Sequence, residues 1–490
     1  MVEPTYLELQ QQVLKLQQQV IDTQLQLREQ RQLMICPLDY KYYDEKLAQY
    51  ISGAATWRAC AEVQVALMRG RLHFGKATAE NVAEMEAAFK IFSPADTHDL
   101  EEKVTRQDQL AVLREFRKYV IQDTYDKMHP GTTSYDILDT ARNLMFKRVA
   151  EELIKPKALE LLKTLVNLAE EYENRIQVGR THNQWTSPVT FGYTIAAYAS
   201  RLDDRIDKLV DAADKLEGKI SGIVATSASV ATVLGREVAL PFQQYVLEEI
   251  LGLKVCRDAS QVVSKEKLTD YAHAYVSMQG VLADMANTMR LLQSSEISEI
   301  SGRETKARLG GSSADPSKNN PIQFENVAGV WEEVMSGMNV IYHLQVSDHS
   351  RDLRGSVQAR FQPQHIIAIV YDSLKRMAKQ MSDIVVNEEA MDRHLAAANR
   401  YPAEALNAVL KAYNFPDAHK TVQEFSKRAM RENRPLIEIA LEDPEIHLLW
   451  ETRITEEQRG HLENIRLYSG FAQENTVDIV TRIRQKHKSE

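Results

Sequence analysis

The chain has 490 residues, a net charge of −9 and a pI near 5.9; it can bury more than one core, and its interspersed charges offer nothing to nucleic acid or an anionic membrane. Three widely spaced cysteines, Cys36, Cys60 and Cys256, exclude a disulfide framework and a zinc cluster and fit a reducing cytosol. Sparse glycine, abundant helix formers, no basic-then-apolar leader and no long uncharged apolar run together predict a cytoplasmic, all-α protein with no membrane segment.

Leu9, Val13, Leu16, Val20 and Leu27 follow alternating steps of four and three in a Gln-rich segment, with Thr23 at the one weak position. This heptad stripe in residues 1–35 either adds an oligomer contact or packs on its own domain. After a connector around Pro37, helical residues run from Tyr43 to about Phe92, and a charged helical stretch resumes beyond Ser93–Asp99 to about Met128. His98 and Asp99 in that interruption read, on residues alone, as a helix cap or surface pair. Next, His129 to Thr140 is a turn ending in a cap, Thr133 or Ser134, before an apolar-periodic run to about Glu171. Free amides and hydroxyls at such a helix start also make a carboxylate site.

Gly179 to Pro188 is a second polar interruption, placing His182 beside Thr181 and other hydrogen-bonding groups before a helix from Val189 to about Lys219. A turn from Cys256 to Gln261 leads to a helix from about Lys265 to Ser295. Residues 310–326 then form a small polar interval: Gly310 and Gly311 loosen the backbone, Ser312 and Ser313 bring hydroxyls, Lys318 a cation, and Pro316 and Pro321 stiffen the exit. The P-loop spacing is absent, which leaves two readings: a plain connector, or a serine whose alkoxide is stabilised by the lysine and by backbone amides. A helix follows from about Pro321 to Val346. Arg351, Ser356 and Arg360, at steps of five and four, suit a phosphate dianion or, equally, a solvated helix start. Shorter helices, broken near Tyr401-Pro402 and Asn414-Phe415-Pro416, close the chain as a smaller domain, and no βαβ alternation or repeat is visible.

Three of these segments, in order, resemble blocks of the fumarase/aspartase superfamily. Gly131–Thr140 is similar to its Gly-x-Thr-Ser-x-Asp-x-x-Asp-Thr block, Gly179–Pro188 to its Gly-Arg-Thr-His-x-Gln block, and Gly311–Pro321 to its Gly-Ser-Ser-x-Met-Pro-x-Lys-x-Asn-Pro loop, with Asp315 in place of Met. Within it, the adenylosuccinate lyase family is the nearest likeness: Arg351, Ser356 and Arg360 resemble its phosphate-holding Arg, Ser and Arg, Thr97-His98-Asp99 its His-Asp, Ser260-Gln261 its glutamine turn, and Pro321–Asn326 its continuation beyond the loop. Lys41-Tyr42 is similar to its Arg-Tyr segment, with Lys for Arg, and Lys265 stands where an arginine is common. Losing the guanidinium fork at Lys41 puts substrate affinity there in question.

The resemblance implies elimination of fumarate from an N-succinyl nucleotide, without metal or cofactor. Ser312 would be the base with Ser313 in reserve, His182 the acid, Lys318 and Asn320 the stabilisers of carboxylate charge, and Glu325 the group orienting His182. Thr133 and Ser134, with Gln261, would hold the succinyl carboxylates, and His98, Arg351, Ser356 and Arg360 the phosphate side; Lys41, Tyr42, Asp99 and Thr181 would also bind substrate. It further implies three helical domains, 36–130, 131–362 and 363–490, preceded by the Gln-rich helix 1–35, with the central long-helix bundle forming a twenty-helix core in a homotetramer. Two other readings stay open: a fumarate-releasing lyase for an argininosuccinate-like or specialised amino-acid conjugate, and a non-catalytic scaffold docking through its N-terminal helix.

Overall fold

The computed structural model describes residues 10, 12–21, 34–302, 315 and 318–488, and it is overwhelmingly helical. The chain forms two compact units: Met1–Ile154, Val210–Val276 and Val334–Asp372 make the first; Lys155–Leu209, Ser277–Glu333 and Ser373–Glu490 the second. Three long helices, Phe191–Asp214, Glu266–Leu292 and Ile322–His343, fall where the sequence predicts them; a fourth, Gln362–Ser382, stands where only short helices are expected, and each of the four supplies residues to both units.

The first unit is built around the helices Gly53–His73 and Ser134–Val149, which pack on one another. Residues 59–61 and 63–68 of the former are all buried, and all but Gln64 are apolar, as the middle of a core helix should be. Within it Cys60 is fully buried, and that burial pushes its thiol up to about 12. The uninterrupted helix expected from Tyr43 to Phe92 is in fact three, Glu45–Ile51, Gly53–His73 and Ala79–Ile91. Short polar side chains mark the breaks: Ser52 accepts from Ala55 N–H at 3.1 Å, and beyond Gly75, with φ +68°, Thr78 accepts from Asn81 N–H at 3.3 Å, each better placed as a cap than inside a helix.

In the second unit the Lys155–Glu171 helix packs against Ala472–Lys486, where Arg484 grips both oxygens of Glu170 at 2.6 Å. A separate cluster, including Leu406, Leu410, Leu436, Ile439, Ile446 and Trp450, forms its own small core among the C-terminal helices. The second polar interruption is an antiparallel hairpin, Ile176–Thr181 with Gln184–Thr190. Sequence reading missed these strands because Arg180, Thr181, Gln184, Thr186 and Ser187 replace the apolar alternation that marks a half-buried strand. Ile300–Gly302 pairs antiparallel with Ile384–Val386 in the same unit.

Near the N-terminus, residues 12–21 are helical and their stripe faces solvent, with Val13, Leu16 and Val20 each more than half exposed. Leu9 and Leu27 lie outside the described residues.

Candidate functional site

The expected site residues fall into two groups, one in each unit. In the first unit the turn before the Ser134–Val149 helix needs a glycine: Gly131 has φ +90°, and a Cβ there would approach Val230 Cα to 3.1 Å. Thr133 is the N-cap, and the carboxylate of Asp136 accepts its N–H at 2.7 Å together with those of Ser221 at 3.0 Å and Gly222 at 3.1 Å. Asp136 also pairs with Lys219, and both side chains are fully buried. This lattice fixes the helix start, so that the Ser134 hydroxyl, at its first position, accepts from Gln107 Nε2 at 2.7 Å.

One turn further, Asp139 meets Lys265 at 2.7 Å. Burial raises the Asp139 carboxyl, but Lys265 and Arg142 outweigh it and hold it below the usual carboxylate range. The expected phosphate residues draw together beside it. Arg351 stacks 3.9 Å from the centre of the Tyr135 ring and donates to Gln261 Oε1 at 2.8 Å and to Ser356 Oγ at 3.4 Å. Arg360 is exposed and acts, with Arg142 and Arg351, on Asp108, whose carboxyl is nevertheless raised by burial. Tyr42, Trp57, Glu101, Asp108, Arg142 and Arg360 line a cavity of about 680 Å³, the size of a nucleotide-class ligand site.

Three expected residues sit outside this arrangement. Lys41 is exposed next to Tyr42 and does not line the cavity. His98 and Asp99 are exposed, His98 Nε2 lying 3.7 Å from Glu102 and Asp99 pairing with Lys103 at 2.9 Å. Sequence reading overlooked Gln107, Asp108 and Arg142, which do reach the site. Gln107 caps the helix that follows it, accepting from Leu110 N–H at 2.6 Å, while its amide nitrogen turns to Ser134.

In the second unit His182 occupies the hairpin tip. With Asn183 it forms a two-residue turn in which both have positive φ, 53° and 57°, the left-handed pair whose twist suits a tight hairpin. Gly179 lies at the ladder's irregularity, where a Cβ would come within 2.1 Å of Ser187 O. His182 and Thr181 are exposed, as are Asp315, Lys318 and Glu325, while Asn320 is half-buried. Lys318 N–H donates to Asp315 O at 3.2 Å, and Glu325 lies in the first turn of Ile322–His343. Among the described residues no hydrogen bond joins Glu325 to His182. Ser312 and Ser313 lie outside the described residues.

A possible metal set, Glu217, Cys256 and Asp258, brings its ligand atoms within 4.8 Å of one another in the first unit. Burial pushes the Cys256 thiol up to about 12, and the thiol donates to Asp258 at 3.3 Å. A protonated, hydrogen-bonded thiol is a poor ligand, so the donor set does not favour an ion.

A family model described as lyase matches residues 28–336, well over half of the chain. The chain belongs to the lyase family. Among its relatives, adenylosuccinate lyase from Pyrococcus horikoshii is 29% identical over 464 residues, covering 93% of this chain and 99% of that one. Adenylosuccinate lyase from Methanocaldococcus jannaschii is 26% identical over 473 residues, covering 94% and 98%. Of solved structures, a fumarate lyase from Mesorhizobium sp. BNC1 superposes with a TM-score of 0.77 at 22% identity, covering 90% of this chain and 98% of that one. A 3-carboxy-cis,cis-muconate lactonizing enzyme from Pseudomonas putida does so with 0.78 at 20% identity, covering 92% and 99%. At those identities the likeness establishes the all-helical lyase fold.

Proposed function

We propose that this lyase eliminates fumarate from adenylosuccinate, giving AMP, and from the related succinylcarboxamide ribotide. The observation that carries the reading is near-full-length similarity to two adenylosuccinate lyases, in a chain that also gathers Arg351, Gln261 and Ser356 over Tyr135. A guanidinium braced by an aromatic face and presented with a hydroxyl suits a phosphate dianion.

In this reading Ser312 removes the proton from the carbon β to the departing nitrogen. The electron pair passes into the adjacent carboxylate, whose charge Lys318 and Asn320 stabilise, and then forms the C=C bond as the C–N bond breaks. His182 protonates the nitrogen that leaves. Glu325 raises the basicity of an imidazole that meets it from another copy of the chain, which is why a homotetramer belongs to the proposal. Thr133, Ser134, Thr181 and Gln261 hold the succinyl carboxylates; Tyr42 and Arg360 flank the nucleotide, with Lys41, His98 and Asp99 at its edge. No helix among the described residues is long and apolar enough to cross a membrane, in keeping with a cytoplasmic enzyme.

Asp315 adds a negative charge to a loop that works on a polyanion, where the family's Met adds none. Asp315→Met is therefore expected to leave turnover unchanged or improved. The reading is tested by mixing purified protein separately with adenylosuccinate and argininosuccinate and following fumarate absorbance. Release from the first is expected, with turnover lost in Ser312→Ala and His182→Ala; release only from the second overturns the assignment.

A further inference from the structure

A single buried carboxylate joins three elements of the second unit. Glu299, fully buried, accepts from Gln177 Nε2 at 2.6 Å, from Arg180 Nη1 and Nη2 at 3.0 and 2.6 Å, and from His394 Nδ1 at 2.6 Å. Gln177 and Arg180 belong to the first strand of the hairpin, and Arg180 stands one residue before the strand's end at Thr181, which joins directly to His182 in the turn. The pairing is a fork: two guanidinium nitrogens on one carboxylate in a dry site fix orientation as well as distance.

The helix Glu388–Ala398 acts as a splint along the same strand. At the strand's base Arg175 pairs with Glu388 at 2.9 Å and Asp392 at 3.0 Å; near its tip His394 joins Glu299 and lies 6.1 Å from the ring of Trp185, the register partner of Arg180. The splint also holds the backbone of Glu299, because Asn387 N–H donates to Glu299 O at 2.8 Å and Asn387 Nδ2 to Ser298 O at 2.9 Å. Glu299 in turn opens directly into the strand Ile300–Gly302, ten residues ahead of Ser312 in sequence.

We propose that Glu299, acting through Arg180, is a positioning residue for the imidazole of His182, setting where the acid stands for proton transfer. This rests on the reading of His182 as the acid. Without the carboxylate the Arg180 charge is left unmatched in a largely buried place, the strand face carrying it loosens, and the imidazole at the tip loses its placement. A displacement of about 1 Å in a catalytic group lowers a rate by about a hundredfold.

The test is a four-protein cycle: wild type, Glu299→Gln, His182→Gln and the double variant, each assayed for fumarate release from adenylosuccinate. Glu299→Gln is expected to lower kcat by roughly 10- to 100-fold with KM within about twofold, and to change kcat by less than about threefold once His182 is already Gln. An equal loss in both backgrounds, or a loss confined to KM, overturns the proposal, because a carboxylate that only holds the fold acts independently of His182. Should Glu299→Gln fail to fold, Arg180→Lys, which keeps the charge and loses the fork, is expected to give the same non-additive loss. The His182 ring signals in NMR spectra of the same proteins need no turnover: they are expected to shift and broaden in Glu299→Gln, and unchanged signals refute positioning. Wild type that releases no fumarate refutes the proposed function instead, and the ring signals still decide the placement.

Discussion

Lys219 and Asp136 form an ion pair with no exposed surface, and the two partners are not equally dependent on it. Without Lys219, Asp136 keeps three backbone N–H donors, from Thr133, Ser221 and Gly222. Without Asp136, the Lys219 ammonium keeps, among the described residues, only the Gly222 carbonyl at 3.0 Å. Breaking a buried pair from one side leaves an uncompensated charge and costs about 3–5 kcal/mol. Asp136→Ala is therefore expected to sit at the upper end of that range, and Lys219→Met clearly below it, when thermal unfolding of the two is compared. Equal losses would mean that the backbone amides contribute little. The Asp136 change also frees Thr133 and Ser134, so it alone is expected to raise KM.

At the scale of elements, the hairpin is the part of the fold most sensitive to a single methyl group. Gly179→Ala would force a Cβ against Ser187 O, an overlap that only backbone movement relieves. The ladder is expected to open there, with kcat for fumarate release down at least about tenfold and amide exchange faster over 176–190 than elsewhere. Long helices were legible in the sequence because their stripes are long; Phe191–Asp214 and Glu266–Leu292 begin and end within a few residues of their expected limits. The hairpin was not, since polar residues stand where a half-buried strand would alternate with apolar ones. His98, read on residues alone as a cap or surface pair, is exposed beside Glu102, while Gln107, which nothing in the local sequence marks, reaches Ser134. The cluster of Arg351 with Ser356 and Gln261 was legible only through the family resemblance, since spacing alone fits a solvated helix start, and the Tyr135 ring beneath the arginine depends on tertiary packing that no local pattern reports.

For the whole molecule, acid is the informative perturbation. Asp139 in the first unit and Glu299 in the second are both held below their ordinary range: burial raises each, and their hydrogen-bonded cationic partners outweigh it. A carboxyl depressed in the folded state stabilises at pH above its unfolded value, near 4, and that stability is lost as pH falls through the folded value. The melting temperature is thus expected to stay level from pH 7 to about pH 5 and to fall steeply below about pH 4 in both units; a flat profile to pH 3 would contradict the ion-pair account. Deleting residues 1–30 is expected to leave fumarate release intact, read in the same assay. The cysteines add a different kind of information, because all three belong to the first unit. Cys60 and Cys256 are sealed from solvent and their thiols are held neutral well above physiological pH, whereas Cys36 is half-exposed. A thiol-labelling reagent applied to the native enzyme will mark one sulfur at once and the other two only when that unit opens. The chain therefore carries a built-in clock for the breathing of one half of itself, readable by mass without any engineered probe.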